Sequence, residues 1–263
     1  FCMRGVNVQE LRDAIVNRPE EFDMDVMPTE QFKSGPFIVV GFRKKIEEAR
    51  EKGYSIPVAR TILITGLADD EIWVNMSRVC GVDSTNPTSY TDGEITARMQ
   101  NDEIERYLRD FIPGFEHAWR DKVAAFMGIR ESRVIKGKYV WTADDILSCR
   151  KFEDAVGVAS YPVDLHHPVG GDCSLWGCPD CYDVPYRCLI PKKVDGVIAA
   201  GRDISATHLA LASVRVMGPA MCLGEAAGKA AALAVKDNKE LRDLDVTELQ
   251  NALRKEGVWF RDK

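Results

Sequence analysis

The stretch VDGVIAAGRDISATHLALASVRVMGPAMCLGEAAGKAAALAV, residues 194–235, decides the fold of this chain. Its beginning, GVIAAGR, is a short continuous apolar run that predicts a central parallel strand buried on both faces. Gly201 ends this strand, and a residue that lacks a side chain lets a ligand approach the backbone there. Ligands of open α/β sheets lie at the carboxyl ends of the strands, so Gly201, Arg202 and Asp203 are candidate ligand contacts.

The second half of the stretch predicts a helix with a smooth face. Proline is common at the first position of a helix, so Pro219 after Gly218 is predicted to be the first helical residue and Ala220 the second. The free N–H groups of a first turn and the helix dipole together favour an anion. Gly224 and Gly228 lie on one face, which lets the helix pack closely against a strand or a cofactor. A tightly packed core helix without a ligand fits the same spacing.

The remaining chain alternates between helical and strand-like patterns. Apolar residues at helical spacing predict helices over 5–18, 41–53, 91–112 and 114–128. The runs VARTILITG and EIWVNMSRVCGV, which LADD separates, predict a hairpin. Further strands are predicted in SRVIKGKYVWT and AVGVASYPVDLHH, a short helix in ADDILS with Thr142 as its cap, and a surface helix over 241–256.

Composition and charge restrict the partners of the chain. Its 263 residues carry a net charge of −6, which argues against nucleic acid or an anionic membrane. No apolar run reaches the ~18 residues that a membrane-spanning helix needs. The first residues, FCMRGVNVQE, lack the pattern of a signal peptide and an initiator Met. We therefore expect a cytoplasmic protein that is cut from a longer chain and has a small-molecule substrate.

Several long motifs occur in one order along the chain. They are WVNMSRVCGVD, PGFEHAW, GIRESRVIKGKYVWTADDIL, YPVDLH and YDVPYRCLIPK, followed by the AGR turn, ISATH, RVM and GEAAGKAAA. Together they resemble a family of FAD-dependent oxidoreductases over roughly residues 35–235. The resemblance implies a glutathione-reductase-like flavin domain interrupted by a substrate cap. In the intact parent the reaction would be hydride transfer from a small polar substrate to FAD.

The resemblance assigns cofactor contacts to the opening stretch. Arg202 and Asp203 would lie beside the pyrophosphate or ribityl chain of FAD, and Gly218, Pro219 and Ala220 would face the isoalloxazine. A helix start at that position would stabilise the negative charge of a reduced flavin at its N1–C2=O edge.

The sequence departs from the family at one point. It has no strand–GxGxxG–helix motif for the ADP half of FAD. We therefore predict that this chain binds FAD weakly or not at all by itself, and that it is inactive alone. The exposed edge of a truncated sheet predicts self-association or pairing with the missing N-terminal segment.

The fold class that follows is α+β: a substrate cap domain, with a mixed sheet and helices, joined to a partial α/β FAD-binding domain. We expect the cap over residues 1–160, the C-terminal half of the FAD-binding domain over 161–240, and a C-terminal helix and tail over 241–263.

Four residues are candidates for catalysis. His208 and Arg215 lie seven residues apart and would point the same way on a continuous helix, where they could bind a carboxylate and move a proton. Their alternative is structural, with His208 capping a helix and Arg215 paired with a carboxylate. Asp164 and His166 lie on alternate residues of a strand end, so that the carboxylate could orient the imidazole as a base. An ordinary Asp–His contact in a turn fits equally well.

Two more positions are candidates for the substrate cleft. Asn75 and Arg78 lie in the cap strand WVNMSRV and are predicted to line the cleft. We expect Arg130 and Glu131 to be paired within the protein.

The eight cysteines divide into two groups. Cys2, Cys80, Cys149 and Cys222 are predicted to be buried, reduced thiols. The other four lie within sixteen residues: Cys173, Cys178, Cys181 and Cys188. Tetrahedral zinc is one interpretation of this group, with His166 or His167 able to replace Cys188, and an iron–sulfur cluster or free thiols are others. An alternative to the oxidoreductase is therefore a zinc-stabilised binding module, or a structural fragment without redox activity.

Overall fold

The computed structural model describes residues 1–24, 29–167 and 173–261, which fold as two compact units. The first unit comprises Phe1–Gly128 with His167, and the second comprises Ile129–His166 with the residues from Cys173 onward. Each unit has its own hydrophobic core. The units meet in sequence at Gly128, whereas the predicted domain boundary lies at residue 160. The naming of these parts as cap and flavin domain stays a prediction.

The first unit contains a five-stranded antiparallel sheet with the strand order β2-β3-β4-β1-β5. Its strands are β1 (Cys2–Arg4), β2 (Ile38–Gly41), β3 (Thr61–Thr65), β4 (Ile72–Val74) and β5 (Trp119–Lys122). β3 and β4 form the predicted hairpin, in which Leu63 pairs with Val74. Leu63 and Ile72 are wholly buried on the face of the sheet that meets the core.

Three helices share a hydrophobic core with this sheet: α1 (Val8–Asn17), α2 (Arg43–Glu51) and α3 (Pro87–Phe111). Local signals explain their bounds. The Asn86 side chain accepts the Thr88 N–H at 3.0 Å and Pro87 opens α3, while Gly53, at φ +91°, lies just beyond α2. The helices predicted over 5–18, 41–53 and 91–112 are therefore confirmed.

The second unit combines two short antiparallel sheets with four helices among its described residues. β6 (Ala155–Ala159) pairs with β9 (Tyr182–Pro185), and β7 (Val163–His166) pairs with β8 (Cys173–Trp176). The helices are α4 (Ala143–Leu147), α5 (His208–Val214), α6 (Met217–Asp237) and α7 (Val246–Lys255). Thr142 caps α4 as predicted, in a capping box with Asp145. The fold class is α+β.

Two local predictions in the middle of the chain are wrong. Residues 114–128 do not form a helix, because Trp119–Lys122 bond to β1 as strand β5 and this non-local pairing outweighs the helical spacing. Residues 132–142 do not form a strand. Their backbone groups bond to loops, as in Lys138 N–H to the Ile190 carbonyl at 2.9 Å and Trp141 N–H to the Ser205 carbonyl at 3.0 Å.

The strand predicted in GVIAAGR is also wrong. Residues 197–200 belong to no helix or strand, and the backbone hydrogen bond described for them is a single one, from Ala199 N–H to the Leu189 carbonyl at 2.9 Å. Val197 is 48% exposed, so the segment is not buried on both faces. A strand requires a hydrogen-bonded neighbour along its length, and the described residues supply none here.

α5 and α6 are separate helices that meet at an angle of 92°. The break falls at Arg215 and Val216, so the continuous helix assumed for His208 and Arg215 is wrong. Within the described residues no single helix is long and apolar enough to cross a membrane, and only this bent pair passes that test jointly.

Candidate functional site

The start of α6 is open to solvent. Its first residue is Met217, which is 82% exposed, and Pro219 lies in the first turn, two positions later than predicted. The cap residue Val216 provides no side-chain hydrogen bond to that turn. A side-chain carbon added at Gly218 would meet no atom within 4 Å. The N–H groups of Met217 and Gly218 therefore lie at an uncapped, accessible helix end, which favours an anion.

The turn at Gly201 has a backbone conformation that glycine adopts readily. Gly201 adopts φ +94°, and a side-chain carbon built there would meet no atom within 4 Å. Arg202 and Asp203 are exposed. The Asp203 carbonyl accepts the Ile135 N–H at 2.8 Å, which fixes the backbone of the turn. This turn and the open start of α6 both fit a dinucleotide, because each offers backbone without a covering side chain.

A cluster of polar side chains surrounds Asp164 on β7. His166 Nε2 lies 3.2 Å from Asp164 Oδ2, as the alternation along a strand end predicts. Arg215 Nη2 donates to the Asp164 carbonyl at 3.1 Å and to its Oδ2 at 3.4 Å. The side chains of Arg215 and Asp164 are only 12% and 11% exposed. Three of the four residues predicted to be catalytic, Asp164, His166 and Arg215, therefore lie in one cluster.

Burial and the charges of this cluster shift the pKa values of Asp164 and Tyr161. Burial acts to raise the pKa of Asp164, but the hydrogen bond from His166 and the positive charges of His166, Arg215 and Arg130 lower it overall. Burial and the neighbouring Asp164 carboxylate raise the pKa of Tyr161. Asp164 is therefore held as a carboxylate, and Tyr161 as a neutral phenol.

The sequence does not predict the contact between Tyr161 and Asp164. Its hydroxyl donates to Asp164 Oδ2 at 3.4 Å, and its carbonyl accepts from Ser213 Oγ on α5 and from the Tyr182 hydroxyl at 3.0 Å. Tyr161 lies in the turn between β6 and β7, where no periodicity indicates its direction. Its position three residues before Asp164 in YPVDLH is the one available signal.

His208 does not join this cluster in any contact that the structure describes. It is the first residue of α5, and its Nδ1 is hydrogen-bonded to Glu131 Oε2 at the surface of the protein. The cap of α5 is Thr207 rather than His208. Glu131 is thus paired within the protein, as expected.

The two candidate substrate residues lie in the first unit. β4 ends at Val74, so Asn75 and Arg78 follow the strand instead of lying in it. Asn75 is exposed. Arg78 exchanges backbone hydrogen bonds with the Gln100 side chain, at 2.7 and 2.8 Å, and its guanidinium donates to the His167 carbonyl. Their role toward a substrate stays a prediction.

The zinc interpretation finds no support in the described residues, among which no group of three or more possible ligands could hold a metal ion. Cys188 is wholly buried in the core of the second unit, and its thiol donates to the Pro185 carbonyl at 2.9 Å. It therefore cannot complete a site with Cys173, Cys178 and Cys181, which are partly exposed. The prediction of buried thiols is confirmed for Cys2, but Cys149 and Cys222 are partly exposed and Cys80 is exposed.

Comparisons with known proteins agree with the geometry. Residues 1–253 match the family model described as FAD dependent oxidoreductase. No curated protein matches the chain, and no solved structure does. The family match covers nearly the whole chain and both compact units. The chain belongs to the FAD-dependent oxidoreductase family.

Proposed function

We propose that this chain supplies the flavin-facing part of an oxidoreductase that transfers a hydride from a small polar substrate to FAD. The observation that carries this proposal is the uncapped, solvent-open first turn of α6. A soluble helix usually satisfies its first N–H groups with a side chain, and here Val216 offers none.

The residues that would hold FAD come from two places in the second unit. Gly201, Arg202 and Asp203 would contact the pyrophosphate or ribityl chain, and the first turn of α6 at Gly218, Pro219 and Ala220 would face the isoalloxazine. Bound FAD would supply the two-electron redox chemistry. The dipole of α6 would favour negative charge beside its first turn.

The Asp164 cluster would exchange a proton with the substrate during hydride transfer. Asp164 holds the His166 ring through Nε2, so Nδ1 is the nitrogen that would exchange a proton with a substrate. The Arg215 guanidinium is anchored on Asp164 and would present its remaining N–H donors to a carboxylate or other polar group. His208, exposed and paired with Glu131, would act at the periphery.

A dinucleotide-binding segment would complete the cofactor site. One face of α6 is exposed at Met217, Met221, Gly224 and Gly228, and the segment 197–200 lacks a paired strand among the described residues. These features support pairing with a strand–helix segment that binds the ADP half of FAD. This chain alone would then bind FAD weakly and be inactive.

Titration with FAD, followed by flavin absorbance and fluorescence, tests this function. We expect weak binding by this chain and at least ~100-fold tighter binding by a chain extended at its N-terminus. Gly218→Asp places a carboxylate at the α6 start and should weaken FAD binding by ~10-fold or more, whereas the isosteric Gly218→Asn should not.

Equal FAD affinity of these two variants would contradict a flavin at the α6 start. Light scattering on the same samples distinguishes pairing with the added segment from self-association of this chain.

A further inference from the structure

Two buried hydroxyl groups, those of Tyr182 and Ser213, lie behind the Asp164 cluster. Tyr182 is the first residue of β9, Ser213 lies on α5, and both residues are wholly buried. Both hydroxyls lie within hydrogen-bonding distance of the Tyr161 carbonyl, at 3.0 Å for Tyr182, and they also contact each other. This carbonyl belongs to residues 160–162, which form no helix or strand. Side chains from two other elements therefore supply donors to it.

The number of protons limits what these three oxygens can share. Three contacts join them, but the two hydroxyls carry one proton each. One hydroxyl must donate to the Tyr161 carbonyl, and the other can donate either to that carbonyl or to the first hydroxyl. Burial raises the pKa of Tyr182 to about 12, so its hydroxyl keeps its proton at neutral pH. Either hydroxyl could thus serve the carbonyl if the other were removed.

The start of β9, which carries Tyr182, is firmly anchored. Its second residue, Asp183, accepts Arg261 Nε on Oδ1 at 2.8 Å, and these two side chains are only 6% and 8% exposed. Asp183 Oδ2 accepts the Phe152 N–H at 2.9 Å. The Tyr182 hydroxyl therefore projects from backbone that is fixed on both sides of the Asp183 carboxylate.

Helix α5 holds the segment 161–164 at both ends. Ser213 contacts the Tyr161 carbonyl, and Arg215 Nη2 donates to the Asp164 carbonyl at 3.1 Å. Between these two contacts the Tyr161 phenol donates to Asp164 Oδ2 at 3.4 Å, and the same oxygen lies 3.2 Å from His166 Nε2. A hydrogen bond of 3.4 Å is near the limit of such bonds, so its persistence depends on where the Tyr161 backbone is held.

We propose that Ser213 and Tyr182 are positioning residues of the acid–base cluster: their hydroxyls hold the Tyr161 carbonyl and thereby keep the Tyr161 phenol on the Asp164 carboxylate beside His166. This role rests on the proposed function, in which His166 exchanges the proton, whereas the contacts themselves need no flavin. Loss of one hydroxyl should be tolerated, because the other still donates to the carbonyl. Loss of both should release the phenol.

The pKa of Tyr161 reports whether its phenol stays on Asp164. Carbon-13 NMR of the full chain, labelled at tyrosine Cζ, measures it, and Tyr161→Phe assigns the resonance. In the wild type, burial and the Asp164 carboxylate raise this pKa above its ordinary value of 10.0. We expect it to stay raised in Tyr182→Phe and in Ser213→Ala, and to fall toward 10.0 in the double variant. Because no flavin is present, a failure of FAD to bind would leave this result unchanged.

Tyr186→Phe combined with Ser213→Ala is the matched control. It removes another buried phenol of the second unit, which donates to the Leu241 carbonyl at 2.8 Å, and it should leave the Tyr161 pKa raised. In urea unfolding, each single variant should raise the equilibrium constant for unfolding by ~5-fold. The Tyr182→Phe Ser213→Ala chain should exceed the product of its two single effects by ~10-fold or more, and the control should equal the product of its own.

Carbonyl NMR on the single variants tests the same contacts if the double variant does not fold. Tyr161 is the one tyrosine that a proline follows, so carbon-13 in tyrosine carbonyls and nitrogen-15 in proline identify its carbonyl. Tyr182→Phe and Ser213→Ala should each shift this carbon upfield, because a hydrogen bond deshields it, whereas Tyr186→Phe should not. The proposal is overturned if neither single variant shifts this carbon, if a folded double variant keeps the Tyr161 pKa raised, or if the two effects on unfolding simply multiply.

Discussion

Asp164 is the residue on which His166, Arg215 and Tyr161 converge. We expect Asp164→Asn to lower the free energy of unfolding by ~2 kcal/mol at pH 7, because it leaves the largely buried Arg215 without its carboxylate. Urea unfolding of the wild type and the variant measures this difference. Glu225→Gln, which neutralises an exposed carboxylate on α6, should stay within ~0.5 kcal/mol of the wild type.

The pH dependence of this difference follows from the pKa of Asp164, which is lowered in the folded chain. A lowered pKa stabilises the fold at pH values above the unfolded-state pKa, and this contribution is lost as the pH falls through the folded-state pKa. The wild type and Asp164→Asn should therefore converge in acid below the ordinary value of 3.8. A difference that persists unchanged in acid would show that charge is not the cause.

At the scale of elements, substitutions on the open face of α6 should affect ligand binding without impairing folding. Side-chain carbons added at Gly224 and Gly228 would meet no atom within 4 Å. Gly224→Leu should therefore preserve the fold and add up to ~1 kcal/mol of helix stability. It should also weaken FAD binding by the N-terminally extended chain by ~10-fold or more, because the bulk falls where a strand or the cofactor would pack.

The matched control is Gly224→Ala, which keeps the α6 face small. Circular dichroism and FAD titration on the same samples distinguish the two effects. Full FAD affinity in Gly224→Leu would mean that this face stays in solvent.

Elements with local signals could be predicted from the sequence, and elements that depend on distant partners could not. Asn86 with Pro87 marks the start of α3, and Thr142 marks the start of α4, because capping needs only neighbouring residues. β5 becomes a strand only through β1, more than a hundred residues earlier, and residues 197–200 lack a paired neighbour in the described part of the chain. Short strands carry too little periodicity to reveal either outcome.

In the candidate site, too, contacts between neighbouring residues could be predicted from the sequence and contacts between distant residues could not. Asp164 and His166 could be paired from their spacing along one strand. Arg215 lies 51 residues away from Asp164, so their contact depends on how α5 packs against β7. The zinc interpretation failed because sequence proximity does not reveal that Cys188 points into the core.

At the scale of the whole molecule, the two units should differ in their response to loss of Arg261. Arg261→Met removes the partner of the buried Asp183 carboxylate, which should destabilise the second unit by ~3 kcal/mol. Hydrogen-exchange mass spectrometry should show ~100-fold faster exchange in β6 and β9, with β3 and α3 unchanged. Lys255→Met, at the exposed end of α7, is the control. Equal loss of protection in both units would contradict independent cores.

The Arg261–Asp183 pair also bears on how the protein is made. The ribosome completes the sheet of the first unit when Lys122 is added, but Arg261 follows about 140 residues later, roughly 7–28 s at ordinary rates of synthesis. Over the last 78 residues of that interval the nascent second unit carries Asp183 without its guanidinium. Closure of this unit therefore cannot precede the synthesis of Arg261, and a nascent chain stalled before Arg261 would present chaperones with one finished unit and one open unit.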